Sequence, residues 1–595
     1  MDSIATLIRK AETNFIAGTT KFSEYVDFSL HDTLERIIAY LNSRHITGNK
    51  DSLGRDKPFF NIVTAAVNIW YRATDLDRKD MIVRASTRSG EMAAFIATHF
   101  LQAWMRKTKF GVFLNQWGRT LAQYGSAVVK FVEKDGRLTC LVVPWSHLIV
   151  DPVDFNAIPV IEKIYKTPAQ LRKMTEYDQV IVENLINAKG VRKNLRGERK
   201  DNTDEFIELY EVHGELPKSY LKDWDKVTEK DKKTYRQQFH VISYQATKEG
   251  EYNDFTLYKG LEAKPIYMLT HLIEEDGRTL SIGAVESLFD AQWMQNHTIK
   301  NMKDTLDIAS KLILQTADPN YANKNLSQAL ETGDMFIHAL NSPLTQVNLS
   351  KGDIGALQNF LFTWQNLAKE LTSTPDVQKG ITPPSGTPLG TSQILQANSN
   401  SLFEIMTENK GLALEEMMRE YIFPNLKKTM LNNKDELATY LKDADIKKID
   451  SVYIPNEAIK RYNNQAKEQM LSGLIPSPFN QAAAEGQIAQ ELAPLGNTRY
   501  FSPEDVNWKE VFKDFEWQFD SGITDETINK QAILASLSSI LQIISNLARD
   551  NTNVKLVSDK LLGQVGAVSP VELAATPAGG VAPEVFNQAK QLQAV

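Results

Sequence analysis

Hydrophobic positions recur at helical spacing through most of the first 130 residues and then change period. Thr33 to Ser43, with Asp32 as the expected cap, Glu91 to Lys107 and Phe110 to Gly125 each carry apolar residues three and four apart, the stripe of a helix with one buried face. From Ser126 the apolar residues fall into short blocks, 127–132 and 138–143, joined through Asp135-Gly136, a pair suited to the tight turn of a β-hairpin. Pro144 to Val150 continues the strand pattern until Asp151-Pro152 ends it. Thr167-Pro168 then opens a helix, because proline's fixed φ and missing N–H are harmless in a first turn. Residues 189–204 are charged and read as loop. The alternating blocks 206–213, 240–244 and 255–258 predict half-buried antiparallel strands. The lysine-dense stretch 218–238 between them reads as a solvated helix or excursion, since acidic residues are interspersed throughout.

The most informative region begins at Gly283. Ala284 to about Ala309 predicts a helix with an aromatic and amide stripe that includes Gln292, Trp293, Gln295 and Asn296, followed by Lys300, Lys303, Asp304 and Asp307 in its second half. Asp353 to about Thr372 has Ile354, Leu357, Phe360, Leu361, Trp364, Leu367, Ala368 and Leu371 at amphipathic spacing. Two rods of similar length can pair antiparallel, with Trp293, Phe360 and Trp364 as the expected packing residues. Between them, 311–352 holds a strand at 311–316, a helical turn at 325–331 and strand-like residues at 335–338 and 346–349, a module too small for a core of its own. Ser373 to Thr391 must be loop, because Pro375, Pro383, Pro384 and Pro388 alternate with Gly380, Gly386 and Gly390. A long helix follows from Ser392 to Met430, with Gly411 and Pro424 as expected kinks. Beyond Asn432 helices alternate with a strand-like 511–520, then a helix from Asp525 to about Ala548 capped by Thr524, and an Ala-, Pro- and Gly-rich tail past Ala567.

Composition narrows the function. A chain of 595 residues, 42% hydrophobic and 24% charged, folds into more than one packing unit. Its 67 basic and 74 acidic residues give a net charge of -7, without the basic footprint of a tight nucleic-acid binder. Cys140, the lone cysteine, excludes an intrachain disulfide and reads as a buried core thiol. The first ten residues lack the apolar run of a signal peptide, and the most apolar late stretch, 533–548, is too short and polar to span a bilayer. No phosphate-cradling Gly-x-x-x-x-Gly-Lys-[Ser/Thr] loop, His-Glu-x-x-His, Gly-x-Ser-x-Gly or Cys-x-x-Cys occurs, and Asp75, Asp77 and Asp80 read as a solvated turn.

The order of parts from Gly283 to Gly390, preceded by a helix ending at Tyr124-Gly125, a hairpin, a Pro…Asp-Pro segment and a Thr-Pro helix start, resembles the portal proteins of tailed bacteriophages (Caudoviricetes), the head-to-tail connectors. The resemblance covers about residues 55–430. It implies an α+β subunit: a wing at 1–283, first stem helix at 284–310, small α/β clip at 311–352, second stem helix at 353–372, tunnel loop at 373–391, long tunnel or wing helix at 392–430, wing return and crown at 431–530, and crown helix with tail at 531–595. It further implies a non-enzymatic homo-oligomeric ring, a dodecamer, without cofactor or metal. That ring occupies one capsid vertex of the virion after assembly in the host cytoplasm, away from any membrane. Double-stranded DNA would pass through it without sequence preference. Its protein partners would be the terminase large subunit, the major capsid and scaffolding proteins, and then the head-completion or tail adaptor. Lys300, Lys303 and Lys379 are expected to face or approach the channel. Gly380, Gly386 and Gly390 are expected to act as joints around a stiff Pro383-Pro384 tip. The competing expectation is a structural component of a phage tail or baseplate.

Overall fold

The switch from helical to alternating period corresponds to a helical layer followed by two principal sheets. The computed structural model describes residues 3–18, 20–23, 26–52, 54–76, 81–85, 91–134, 136–188, 192–193, 199–200, 206–222, 227–246, 252–309, 314–321, 339–343, 345–346, 354–372, 389–432, 443–472, 478–494 and 517–520. Helix α1 (Ile4–Ala17) is capped by Ser3, and a hairpin of β1 (Thr20–Ser23) and β2 (Val26–Phe28) leads to α2 (Leu30–Leu41). Ser29, rather than Asp32, caps α2: its Oγ accepts from the Asp32 amide at 3.2 Å. Asp32 lies inside the first turn, where a carboxylate also complements the exposed N–H groups, so two good capping residues close together obscure the start.

Helix α3 (Val63–Ala73), strand β3 (Ile82–Ala85) and helices α4 (Glu91–Lys107) and α5 (Phe110–Tyr124) complete the N-terminal layer. The expected hairpin follows as β4 (Ser126–Lys134) and β5 (Arg137–Val143). Next come β6 (Leu148–Ile149), β7 (Val160–Lys166), α6 (Pro168–Lys173) and α7 (Gln179–Asn187). Thr167 forms a full capping box with Gln170 ahead of Pro168, as the Thr-Pro signal requires. A small ladder of β8 (Arg192–Lys193) and β9 (Arg199–Lys200) precedes the long β10 (Ile207–Pro217), α8 (Glu229–Lys233), β11 (Tyr235–Ala246), β12 (Tyr252–Leu261) and β13 (Tyr267–His271). The excursion at 218–238 is therefore shorter than expected, because strand β11 begins at Tyr235.

The five-stranded antiparallel sheet, in the order β12-β11-β10-β7-β6, is covered on both faces. In β10 the alternation divides the labour: Tyr210, Val212 and Leu216 pack with Ile4, Ala5 and Ile8 of α1, whereas Ile207 and Leu209 pack with Leu171, Val182 and Leu185 of α6 and α7. Each such buried aliphatic side chain contributes about 1.5–3 kcal/mol. The second sheet, β13-β4-β5, lies in the main core, where Trp117 and Trp145 are buried and donate their indole N–H groups to Thr270 Oγ1 at 2.9 Å and Ser126 O at 3.0 Å. Cys140 is buried in this core, and burial pushes its thiol far above the ordinary range.

The remaining elements are α9 (Phe289–Ala309), β14 (Leu314–Gln315), β15 (Thr345–Gln346), α10 (Ile354–Leu371), α11 (Leu389–Met417), α12 (Phe423–Asn432), α13 (Asp443–Leu471), α14 (Gln481–Leu492) and β16 (Trp517–Asp520), which pairs with β3. Helix α11 starts earlier than Ser392, so Gly390, expected as a loop joint, belongs to its first turn. The expected kink at Pro424 is a π-helical turn at Met418–Ile422. Proline has no N–H to offer Glu420 O, and Lys264 Nζ donates to that carbonyl instead at 2.9 Å. Gly411, by contrast, lies within continuous helix. The expected strand or helical turns at 325–331 and 335–338, the helix at 525–548 and the tail past 567 lie outside the described residues. Among the described residues no helix is long and apolar enough to cross a membrane.

Candidate functional site

The segment that carried the sequence reading is a pair of helices rooted in the main core. At its root Gly125 ends α5 with φ 73°, and a Cβ there would come within 2.7 Å of Ile282 C; a Cβ on Gly283 would meet Gln123 O and Gly125 N, both at 2.5 Å. Two backbones thus touch where only glycine leaves room. The contact is sealed by Ala284 N donating to Ala122 O at 3.1 Å and Leu272 N to Gly125 O at 2.9 Å. One turn further on, the amide row of α9 grips the extended chain before α3. Asn296 Oδ1 accepts from Phe60 N at 3.0 Å, Gln292 Oε1 accepts from Ile62 N at 3.0 Å, and Gln292 Nε2 donates to Phe60 O at 2.7 Å. These amides pair with the backbone of the segment before α3, a role that helical spacing alone does not reveal.

Helices α9 and α10 run antiparallel. Leu288 and Gln295, near the start of α9, share a cavity of about 270 Å³ with Gln365, Ala368 and Thr372, at the end of α10. Trp70 Nε1 ties that end to the body by donating to Thr372 O at 2.9 Å. Burial is confined to this base: no residue from Ile299 to Asp307 is buried, and Ala368 is the one buried residue of α10. Beyond the base the two helices are only partly covered. With 21 residues, α9 is about 31 Å long. At the far end β14 pairs antiparallel with β15, Thr316 Oγ1 donates to Ser342 O at 2.7 Å, and buried Asp318 accepts from Ala339 N at 2.7 Å.

Of the three expected packing aromatics, Trp364 lies against the main core, with Phe360 edge-on to it at 6.2 Å. Trp293 is 56% exposed and stacks on His297 at 5.4 Å with their planes 5° apart. Phe360, Leu367 and Leu371 are also exposed, at 43%, 40% and 58%. Their spacing of seven and four places them in one stripe along α10, on either side of Trp364.

The expected channel residues separate. Lys303 is exposed on α9, whereas Lys300 is half-buried and lines a cavity shared with α2. Asp304 pairs with Arg55 at 3.1 Å, and Arg55 also holds Asp51 at 2.9 Å. Lys379, Gly380, Pro383, Pro384 and Gly386 lie outside the described residues. Helix α11 crosses beneath α3 and α5 with Lys410, which periodicity assigns no role. Its Nζ is buried, donates to Thr74 O at 2.6 Å and lies 5.5 Å from the Trp117 ring centroid; burial pulls its pKa down to about 8.

A second ionisable group joins the two sheets. Glu162 and Glu211 stand opposite each other on β7 and β10, and Lys130 of β4 donates to both, at 2.6 Å to Glu162. Tyr267 OH donates to Glu162 at 2.7 Å, and His213 Nδ1 lies 3.0 Å from Glu262 Oε1. Burial alone would raise Glu211, but His213 and Lys130 outweigh it and hold the carboxyl at about 2. Burial likewise opposes charge on His213, yet Glu211 and Glu262 keep its pKa above the ordinary value. The facing carboxylates are thereby paired with Lys130 across the two sheets.

Among the described residues one group, His31, Asp32 and Glu35 on α2, brings three potential metal-ligand atoms within 4.8 Å of one another. Asp32 lies in the first turn, where a carboxylate complements the helix dipole, and Glu35 follows on the exposed second turn. Asp77 and Asp80 fall outside the described residues. No protein-family model matches the chain, and no curated protein matches it in sequence.

Proposed function

We propose that this chain is the subunit of a portal ring, the channel at one capsid vertex through which double-stranded DNA is packaged and ejected. The observation that supports this reading best is the projecting pair α9 and α10: two antiparallel helices buried only at their base, with a small paired-strand insert at the tip and a long helix returning to the body. Such a pair is poorly covered in one subunit, and the stripe Phe360, Leu367 and Leu371 gains shelter when neighbouring stems pack side by side in a closed ring. The tip is then the docking platform, first for the terminase motor and later for the tail adaptor. The wing carries the α+β body outward against capsid and scaffolding proteins.

The electrostatics suit a conduit. A net charge of -7 and few cations such as the exposed Lys303 give weak, sequence-independent phosphate contacts, whereas many simultaneous contacts would release counterions and hold the DNA in place. Lys300, turned toward α2, is assigned to the body rather than the lumen.

The direct test is the triple variant Phe360→Ser, Leu367→Ser, Leu371→Ser. Because all three side chains are exposed in the subunit, its melting temperature as a monomer should change by only a few degrees. Sedimentation should change from a large closed species to monomers, since each covered aliphatic side chain is worth about 1.5–3 kcal/mol and recurs at every subunit boundary. Assemblies of wild-type size and yield would contradict the reading.

A further inference from the structure

The cavity that takes Lys300 lies between α2, residues 45–47 and 57–58, and the first turns of α9, and encloses about 530 Å³. That is within the range of ligand sites, roughly 300–1,000 Å³. Its lining is strongly biased in chemistry. Arg36, Lys57 and Lys300 contribute three fixed positive charges against one carboxylate, Asp290, and Trp293 and His297 supply aromatic surface.

Two of the three cations, Lys57 and Arg36, are positioned by uncharged partners. Lys57 Nζ donates to Thr47 Oγ1 at 3.2 Å and Gly48 O at 3.0 Å, both uncharged acceptors, so its position is fixed, its charge is kept and its third N–H is left over. Arg36 lies 5.0 Å from the Phe289 ring centroid, a contact that orients a guanidinium without cancelling it. The neighbouring carboxylates are already engaged elsewhere: Glu286 accepts from Arg278 at 2.8 Å, and Asp304 and Asp51 are held by Arg55. His45 closes the wall through Nε2, 3.1 Å from Pro58 O, and burial pulls its pKa down, so it adds polarity rather than charge.

The aromatic part is a platform rather than core. The Trp293 and His297 rings stack with their planes nearly parallel, 5° apart, and both residues are exposed and line the cavity. An exposed tryptophan beside uncancelled cations combines the two elements that bind a base and its phosphate: a flat, sequence-tolerant stacking face and charge-assisted donors.

We propose that this cavity binds a nucleoside 5′-phosphate unit, with the base on the Trp293 and His297 platform and the phosphate among Lys57, Lys300 and Arg36. The unit can come from a free nucleotide or from an unpaired nucleic-acid strand. All the lining residues belong to one subunit, so the site does not depend on the ring reading.

The test uses the full-length chain, with adenosine 5′-monophosphate, adenosine, inorganic phosphate and a short oligothymidylate as probes in calorimetric titrations. The nucleotide should bind at one site per chain, and adenosine or phosphate alone should bind at least about tenfold more weakly. Trp293→Leu and Lys300→Gln should each weaken nucleotide binding on the order of tenfold while leaving the unfolding transition in place. Tighter binding of the oligothymidylate than of the mononucleotide, with the same dependence on Trp293, identifies a strand as the source; equal or weaker binding identifies free nucleotide. Absence of binding by both probes at millimolar concentration, or binding that ignores both substitutions, overturns the proposal.

Discussion

Lys410 is the side chain at which the physical terms conflict most openly. An ammonium placed among Trp117, Tyr71 and Gly118 has one strong acceptor, Thr74 O, and its depressed pKa records the cost of removing it from water. With a folded pKa of about 8 and an ordinary value of 10.5, the unfolded chain binds more protons between those limits. Stability should therefore rise as pH climbs from about 8 toward 10.5, and this contribution should be flat below 8. Lys410→Met keeps the stem volume and removes the charge. Urea titrations should find the variant more stable at pH 7 by about 1–3 kcal/mol, with the slope above pH 8 reduced. A variant less stable at every pH would mean that the bond to Thr74 outweighs the desolvation.

At the level of elements, the stem depends on its root. Gly283→Val would drive a Cβ into Gln123 O and Gly125 N, backbone atoms that cannot yield independently, and would separate the end of α5 from the start of α9. Thermal unfolding should report a loss of at least about 2–3 kcal/mol, whereas Gly486→Ala, inside a helix where a Cβ meets nothing within 4 Å, should gain up to about 1 kcal/mol. Equal effects at both sites would refute the close-approach account. The hairpin β4 and β5, the Thr-Pro start of α6 and the helices α9 and α10 were all legible in the sequence, because turn chemistry, capping and amphipathic period are local signals. What stayed hidden depends on distant partners. Gln292 and Asn296 appeared only as polar positions on α9, since the Phe60–Ile62 segment they bind is more than two hundred residues away. Lys300 appeared as a stem cation, and its direction toward α2 follows from the packing of that segment. Trp293 read as a packing residue because aromatic character does not distinguish a core side from a cavity mouth.

For the whole molecule, the proposed function rests on how copies of the α9–α10 pair would meet DNA and one another. Lys303→Glu combined with Lys379→Glu should leave ring assembly intact and alter DNA retention in a packaging assay, since Lys303 is exposed and an exposed cation contributes little to the fold and much to local phosphate contact. Unchanged packaging would remove both from the conduit. The central claim, that this α+β subunit closes into a ring around a channel, is tested most directly by negative-stain electron microscopy of the purified chain. Rotationally symmetric particles with a stain-filled central hole are the predicted result; fibres, or compact monomers at concentrations where rings should persist, would contradict it.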